Sequence, residues 1–195
     1  MNEEDAARLV DECQIGIHYP LIGDKLLARA LFSISSDWSG IVETGTFMGA
    51  TSLWFSKVWS QLSFYTIDIV EGYVSSAKAK GLNAIWGDSA EVLKSLVSSF
   101  GTKPFFFLDA HWYERWPLSD ELKVISGLDT PTILVHDFDD QTEAGFDPGN
   151  DINGPVGEFL AARSDMKLYR LKENKKIGVG LLSNIFESDY WETMM

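Results

Sequence analysis

The chain has 195 residues and a net charge of −13, and 45% of its residues are hydrophobic and 23% charged. This length and composition are typical of one soluble domain with a full core, while the excess of acid argues against nucleic acid and membrane surfaces as partners. The lone cysteine, Cys13, excludes an internal disulfide, and the acidic start of the chain does not resemble a signal peptide. We therefore expect a cytoplasmic protein.

Two amphipathic helices are predicted first, over residues 3–13 and 22–34, because apolar residues recur there at helical spacing. Beyond them, short apolar strands alternate with helices, which is typical of a parallel sheet with helices on both faces. We therefore divide this single globular unit into an N-terminal helical cap, residues 1–38, and a main domain, residues 39–195. The predicted strands are 41–44, 63–67, 83–85, 104–108 and 132–136, and the predicted helices are 51–60, 70–80, 89–100 and 118–127.

The end of the chain follows a different pattern. Residues 166–183 contain two apolar segments around a polar turn at 173–176, which predicts an antiparallel hairpin. The complete prediction is a doubly wound, Rossmann-like α/β fold with a mostly parallel, seven-stranded sheet and an antiparallel C-terminal hairpin.

An acid ends or follows each of the five parallel strands. Because open α/β sheets bind ligands beyond the carboxyl ends of their strands, these acids should line one edge. Carboxylates that converge there would repel one another, so they need hydroxyls, amines, a sulfonium group or a metal cation as partners. The five acids are Glu43, Asp68, Asp88, Asp109 and Asp137.

The loop after the first strand has the pattern Glu-x-Gly-x-x-x-Gly, beginning at Glu43. Gly45 allows a sharp turn out of the strand, and Gly49 allows the backbone to pass close to a ligand. A carboxylate here suits a cationic amino-acid group better than the pyrophosphate bound by the G-x-G-x-x-G loop of dinucleotide-binding proteins. Asp68 is then placed to accept the hydroxyls of a ribose, and Asp88 lies where an adenine amino group would be.

Four segments, VETGTFMGATS, YTID, WGDSAEVL and FFLDAHW, resemble the successive motifs of class I S-adenosylmethionine-dependent methyltransferases. The resemblance extends from about residue 41 to the C-terminus, including the hairpin, and implies S-adenosylmethionine as the cofactor. The cofactor-binding residues that it implies are Glu43, Gly45, Thr46, Phe47, Gly49, Asp68, Asp88, Ser89 and Asp109.

The two acids after the fourth and fifth strands, Asp109 and Asp137, are similar to the metal ligands of catechol-type O-methyltransferases. Those enzymes hold Mg²⁺ with an acid after the fourth strand and an Asp-Asn pair after the fifth, and related sugar and macrolide O-methyltransferases use carboxylates alone. Here Phe138 stands in place of the Asn, so we assign the third ligand to Asp139, with His136 as the alternative. Carboxylate oxygens suit Mg²⁺, which lowers the pKa of a nearby hydroxyl.

The lysine that acts as the base in catechol-type enzymes has no counterpart after Asp109. We predict His111 as the general base acting beside Asp109, with His136 as the alternative. His111 also lies in an aromatic stretch with Tyr113 and Trp116, so a packing role is open as well. Residues 137–155 are Gly- and Asp-rich without periodicity, and we interpret them as a substrate-side loop.

The predicted function is methyl transfer from S-adenosylmethionine to a hydroxyl of a small molecule. The more specific expectations are a sugar-like acceptor and assistance by Mg²⁺. Three alternatives remain open: a nicotinamide-dependent oxidoreductase, a hydroxylase-like enzyme on the same fold, and a non-catalytic methyltransferase-like module. The protein is expected to be a monomer or a homodimer.

Overall fold

The computed structural model describes residues 1–111, 116–138, 154–173, 178–184 and 188–194. Asp139, Tyr113, most of the hairpin turn and most of the predicted substrate-side loop lie outside these residues. Within them the chain forms seven α-helices and eight strands. The helices are α1 (Glu3–Glu12), α2 (Lys25–Ser33), α3 (Ala50–Val58), α4 (Glu71–Ala79), α5 (Ser89–Leu96), α6 (Leu118–Ile125) and α7 (Pro155–Ala162). The strands are β1 (Gly40–Thr44), β2 (Phe64–Asp68), β3 (Ala84–Trp86), β4 (Pro104–Leu108), β5 (Thr132–His136), β6 (Lys167–Leu171), β7 (Val179–Ser183) and β8 (Trp191–Thr193).

The strands form one sheet in the order β3-β2-β1-β4-β5-β7-β6-β8. The first five in chain order are parallel, and β7 lies antiparallel between β5 and β6. The doubly wound α/β fold and its antiparallel C-terminal hairpin are therefore confirmed. The predicted count of seven strands is wrong, because the part of the chain that the structure describes already forms eight, with β8 pairing antiparallel with the far side of β6.

The eighth strand escapes sequence reasoning because it is only three residues long. One buried residue followed by two more exposed residues is too short a pattern to show the two-residue period of a strand. The strand is held instead by a non-local contact, since Trp191 is buried opposite Leu171 of β6.

The second helix begins later than residue 22, where periodicity placed its start. Asp24 caps α2 by accepting a hydrogen bond from the N–H of Leu27 at 2.9 Å, as expected of an N-cap aspartate. The preceding segment, Pro20–Gly23, is a 3₁₀ turn in which Leu21 and Ile22 have left-handed backbone angles.

The two faces of the sheet bury separate cores because successive strand residues point in opposite directions. On β4, Phe105 and Phe107 face a core shared with α1, α2 and α3, while Phe106 faces the core beneath α6 and α7. The N-terminal helices are joined to the first core directly: the indole N–H of Trp54 donates to the carbonyl oxygen of Ala6 at 2.8 Å. In the described part of the chain, no helix is long and apolar enough to cross a membrane.

Candidate cofactor and metal site

All five predicted acids lie at the carboxyl edge of the parallel strands, but their surroundings differ. Glu43 is buried, Asp68 and Asp88 are bonded to backbone amides, and Asp109 and Asp137 share a histidine. The edge is therefore three chemically distinct sites rather than one acidic surface.

Gly45 turns the chain sharply out of β1, with φ +86°. A Cβ atom at this position would lie 2.4 Å from the carbonyl oxygen of Asp109, so glycine also allows the ends of β1 and β4 to approach closely. Gly49 has φ +82° and caps α3, where an added Cβ would meet nothing nearer than Leu82 at 3.8 Å. Its left-handed backbone explains the glycine, and the close approach of a ligand there stays a prediction.

Phe47 and Asp68 connect the glycine loop to β2. The N–H of Phe47 donates to Oδ2 of Asp68 at 2.9 Å, and the N–H of Val70 donates to Oδ1 at 2.8 Å. Phe47 has φ +45°, an unfavourable conformation for a bulky residue that is associated with functional sites. Its half-exposed ring contacts His18 and Tyr73 edge-on. The carboxylate of Asp68 thus holds the loop and has further lone pairs with which to accept hydroxyls.

Asp88 caps α5 by accepting hydrogen bonds from the N–H groups of Ala90 and Glu91 at 3.1 and 3.3 Å. Ser89 is buried behind it as the first residue of the helix. Beside them Trp86 is 59% exposed, and its indole N–H donates to the carbonyl oxygen of Ile69 at 2.9 Å. An exposed tryptophan held in this way offers a flat apolar surface next to a helix N-terminus.

Glu43 is 1% exposed and lies within a set of hydroxyls, of which sequence reasoning missed Ser52 and Thr66. Ser52 of α3 and Thr66 of β2 both donate to its Oε2, the latter at 2.7 Å, and Thr66 also pairs with Thr46 at 2.6 Å. Burial raises the pKa of Glu43 to about 8, although the hydroxyls oppose the shift. The carboxyl group therefore bonds α3 to the sheet, and its contact with a cofactor stays a prediction.

His136 ends β5 and lies between two carboxylates. Its Nδ1 atom lies 2.7 Å from Oδ1 of Asp109 and 3.3 Å from Oδ1 of Asp137. Burial of His136 disfavours its charge, but the two acids outweigh burial and raise its pKa to about 10. Burial likewise opposes the charge on Asp137, and the bond to His136 lowers the pKa of that carboxyl overall. An imidazolium that bridges two carboxylates orients both of them.

His111 completes a cluster at this point. Ligand atoms of Asp109, His111 and Asp137 all lie within 4.8 Å of one another, and Nε2 of His111 is 3.9 Å from Oδ2 of Asp137. The sequence predicted Asp109 and Asp137 as ligands, and the structure brings them together. Within the described residues the third potential donor is His111, while Asp139 lies outside them.

Glu121 of α6 is a buried acid that sequence reasoning missed. It is 1% exposed and lines the same pocket as Asp109, His111 and Asp137. Burial raises its pKa to about 7 against the influence of the hydroxyls of Ser89 and Thr44. The burial of Glu121 could have been predicted from its spacing in the sequence, because Leu118, Leu122 and Ile125 place position 121 on the buried stripe of the helix.

No protein-family model matches the chain, and a search of curated proteins found no relative. Solved structures do resemble it. An O-methyltransferase from Bacillus cereus in complex with SAH is 18% identical with a TM-score of 0.59, over 93% of this chain and 89% of that one. An SAH-bound methyltransferase from Podospora anserina is 18% identical with a TM-score of 0.56, over 94% and 96% of the two chains.

A SAM-dependent methyltransferase from Archaeoglobus fulgidus is similar too, at 13% identity and a TM-score of 0.56, over 80% of this chain and 90% of that one. At such identities the likeness is one of fold. The chain has the fold of class I S-adenosylmethionine-dependent methyltransferases, and the resemblance predicted from its motifs is confirmed at that level.

Proposed function

We propose that the protein transfers a methyl group from S-adenosylmethionine to a hydroxyl of a small molecule, at a site that also holds a divalent cation. The observation that carries the proposal is the order of groups along the sheet edge. Along this edge Asp88, Asp68 and the loop from Gly45 to Gly49 follow the adjacent strands β3, β2 and β1, and the cluster around Asp109 follows β4 and β5 on the other side of β1.

The first three groups suit the three parts of the cofactor. The strained loop after β1 lies where the amino-acid part would bind, and Asp68 can accept hydrogen bonds from ribose hydroxyls. Asp88 and the exposed face of Trp86 suit the amino group and the ring of adenine. Two of the solved structures with this fold contain SAH, which supports the same cofactor here.

The Asp109 cluster suits the methyl acceptor. When bound, S-adenosylmethionine supplies a methyl group activated by its positive sulfur, and a divalent cation lowers the pKa of a hydroxyl beside it. Asp109 and Asp137 fit such a cation because their carboxylate oxygens converge, with ligand atoms within 4.8 Å of each other. The neighbouring side chains include Trp116 and Leu118, and our working choice of acceptor beside them is a small, sugar-like molecule.

The test of the cofactor is calorimetric titration with S-adenosylhomocysteine. We expect binding by the wild-type protein and binding at least ~10-fold weaker for Asp68→Asn, since a hydrogen bond to a charged group contributes about 1.5–3 kcal/mol. Asp37→Asn is the matched control, because Asp37 precedes β1 at the opposite edge of the sheet and pairs with Lys103. Failure of the wild-type protein to bind would overturn the proposal.

The test of the reaction is transfer of label from methyl-labelled S-adenosylmethionine to a panel of hydroxylated small molecules, with and without added dications. Label that appears on an oxygen of an acceptor supports the proposal. Label found only on nitrogen or carbon atoms would overturn the hydroxyl assignment, whereas the assignment of the cofactor would still stand.

A further inference from the structure

We infer that His111 is a metal ligand, and that the site defined by Asp109, His111 and Asp137 binds a first-row transition dication such as Mn²⁺ or Co²⁺ in preference to Mg²⁺. This inference rests on the metal site of the proposed function and changes both the ion and the role of the histidine.

The first support is geometric. Ligand atoms that share one ion at about 2.1 Å are separated by roughly 3–4.2 Å. The donors of Asp109, His111 and Asp137 already lie within 4.8 Å of one another, and the His111–Asp137 pair is at 3.9 Å. Because the His111 side chain is 59% exposed, its torsions can adjust to close the remaining distance.

The second support is the position of Phe138. The sequence resemblance predicts an amide ligand directly after Asp137, but Phe138 is fully buried in the core under α6 and α7. Its ring packs where Gly180 has no side chain, and its N–H donates to the carbonyl oxygen of Gly178 at 3.1 Å. Position 138 therefore serves the core, and within the described residues the third donor comes from the β4 side of the site.

The third support is the chemistry of the donor set. Mg²⁺ prefers oxygen ligands and gives up its waters reluctantly, whereas imidazole nitrogen suits first-row transition ions, whose affinities rise from Mn²⁺ to Cu²⁺. Replacing an amide oxygen by the imidazole of His111 thus shifts the preference of the site away from Mg²⁺. The remaining ligands, Asp109 and Asp137, still suit Mn²⁺ and Co²⁺.

This assignment changes the role predicted for His111. A nitrogen whose lone pair binds a metal cannot at the same time accept a proton from the substrate. Nε2 of His111, the atom that lies toward Asp137, would therefore position the cation and would not act as the general base.

The experiment is metal titration of the tag-free, metal-depleted protein in the absence of any S-adenosyl compound. Co²⁺ binding is followed by its visible absorption and Mg²⁺ binding by calorimetry. We expect Co²⁺ to bind at least ~100-fold more tightly than Mg²⁺, and His111→Gln to weaken Co²⁺ binding ~10–100-fold with little effect on Mg²⁺. His18→Gln is the matched control, since His18 contacts Phe47 rather than the acidic cluster, and it should leave both titrations unchanged.

Three results would overturn the inference: equal or tighter binding of Mg²⁺, no binding of either ion, or Co²⁺ binding that survives His111→Gln but is lost in Asp139→Asn. The S-adenosylhomocysteine titration is independent of these outcomes. If the protein binds S-adenosylhomocysteine but shows no preference for Co²⁺, only this inference is overturned. If the protein binds Co²⁺ through His111 but does not bind the cofactor, only the proposed methyl transfer is overturned.

Discussion

Gly45 and the backbone of Asp109 lie so close that a Cβ atom on the glycine would be 2.4 Å from the aspartate's carbonyl oxygen. The contact joins the loop after β1, where we propose the cofactor binds, to the loop after β4, where the acidic cluster begins. Because the obstacle is backbone rather than a flexible side chain, no rotamer change can relieve it.

Gly45→Ala should therefore lower the free energy of unfolding by about 3 kcal/mol or more, from the left-handed backbone and the steric clash together. Gly81→Ala separates the two causes, since Gly81 has φ +82° and nothing within 4 Å of an added Cβ. It should cost only about 1–2 kcal/mol. Urea denaturation of both variants measures the difference, and equal losses would show that the Gly45–Asp109 contact is unimportant.

Phe138 is a core residue, so its replacement by a polar side chain should destabilise the fold. Phe138→Asn is expected to lower the free energy of unfolding by about 4 kcal/mol, because it removes a buried ring and places an amide among apolar side chains. The same change at Phe47 is the control: that ring is half-exposed, and its left-handed backbone is one that Asn tolerates. A smaller loss at Phe138 than at Phe47 would contradict this reading.

The packing of Phe138 against Gly180 is tested by a double-mutant cycle. Gly180→Ala places a Cβ 2.8 Å from the ring of Phe138, so it should destabilise the wild-type protein. In a Phe138→Ala background the clash disappears and the cost should become small. Additive free energies of unfolding would mean that the two residues do not interact.

Glu43 should make stability fall as pH rises. Its pKa is about 8 in the folded protein, above the ordinary value of 4.5, so its contribution is fully present below about pH 4.5 and is lost as pH rises through about 8. Relative to Glu43→Gln, the wild-type protein should lose up to about 1.4 kcal/mol of stability per pH unit within this window. Chemical denaturation at pH 5, 6.5 and 8.5 measures it.

Ser52→Ala provides a second readout for Glu43. Ser52 donates to the Glu43 carboxylate, so its removal should raise the pKa of Glu43 further and extend the window to higher pH. If the stability curves of the wild-type protein and Glu43→Gln run parallel across the window, Glu43 does not titrate as described.

Local pattern predicted the strands well because a buried parallel strand is continuously apolar and the neighbouring helices have a different period. The five parallel strands begin and end within a residue or two of their predicted positions, and β4 and β5 match throughout. Helix ends were less accurate. The helix predicted over 89–100 ends at Leu96 and continues as a short 3₁₀ turn, Val97–Ser99, a change that apolar spacing does not report.

The residues of the candidate site were likewise predicted only in part. Sequence order alone brings Asp68, Asp88 and Asp109 to one edge, because consecutive parallel strands must end on the same side of a sheet. It does not reveal which acids are buried or paired. The hydroxyls around Glu43 come from α3 and β2, and the pocket acid Glu121 comes from α6, so their proximity depends on how helices pack on the sheet.

Local periodicity and chain order were enough to predict the α/β alternation, the glycine loop and the row of acids. Three features emerge only in the folded chain: Phe138 belongs to the core, His136 bridges Asp109 and Asp137, and His111 approaches them. Burial and ion pairing depend on distances between residues far apart in the chain, or on a single backbone angle, as at Asp137 with φ +53°. Neither quantity is encoded in the spacing of residue types.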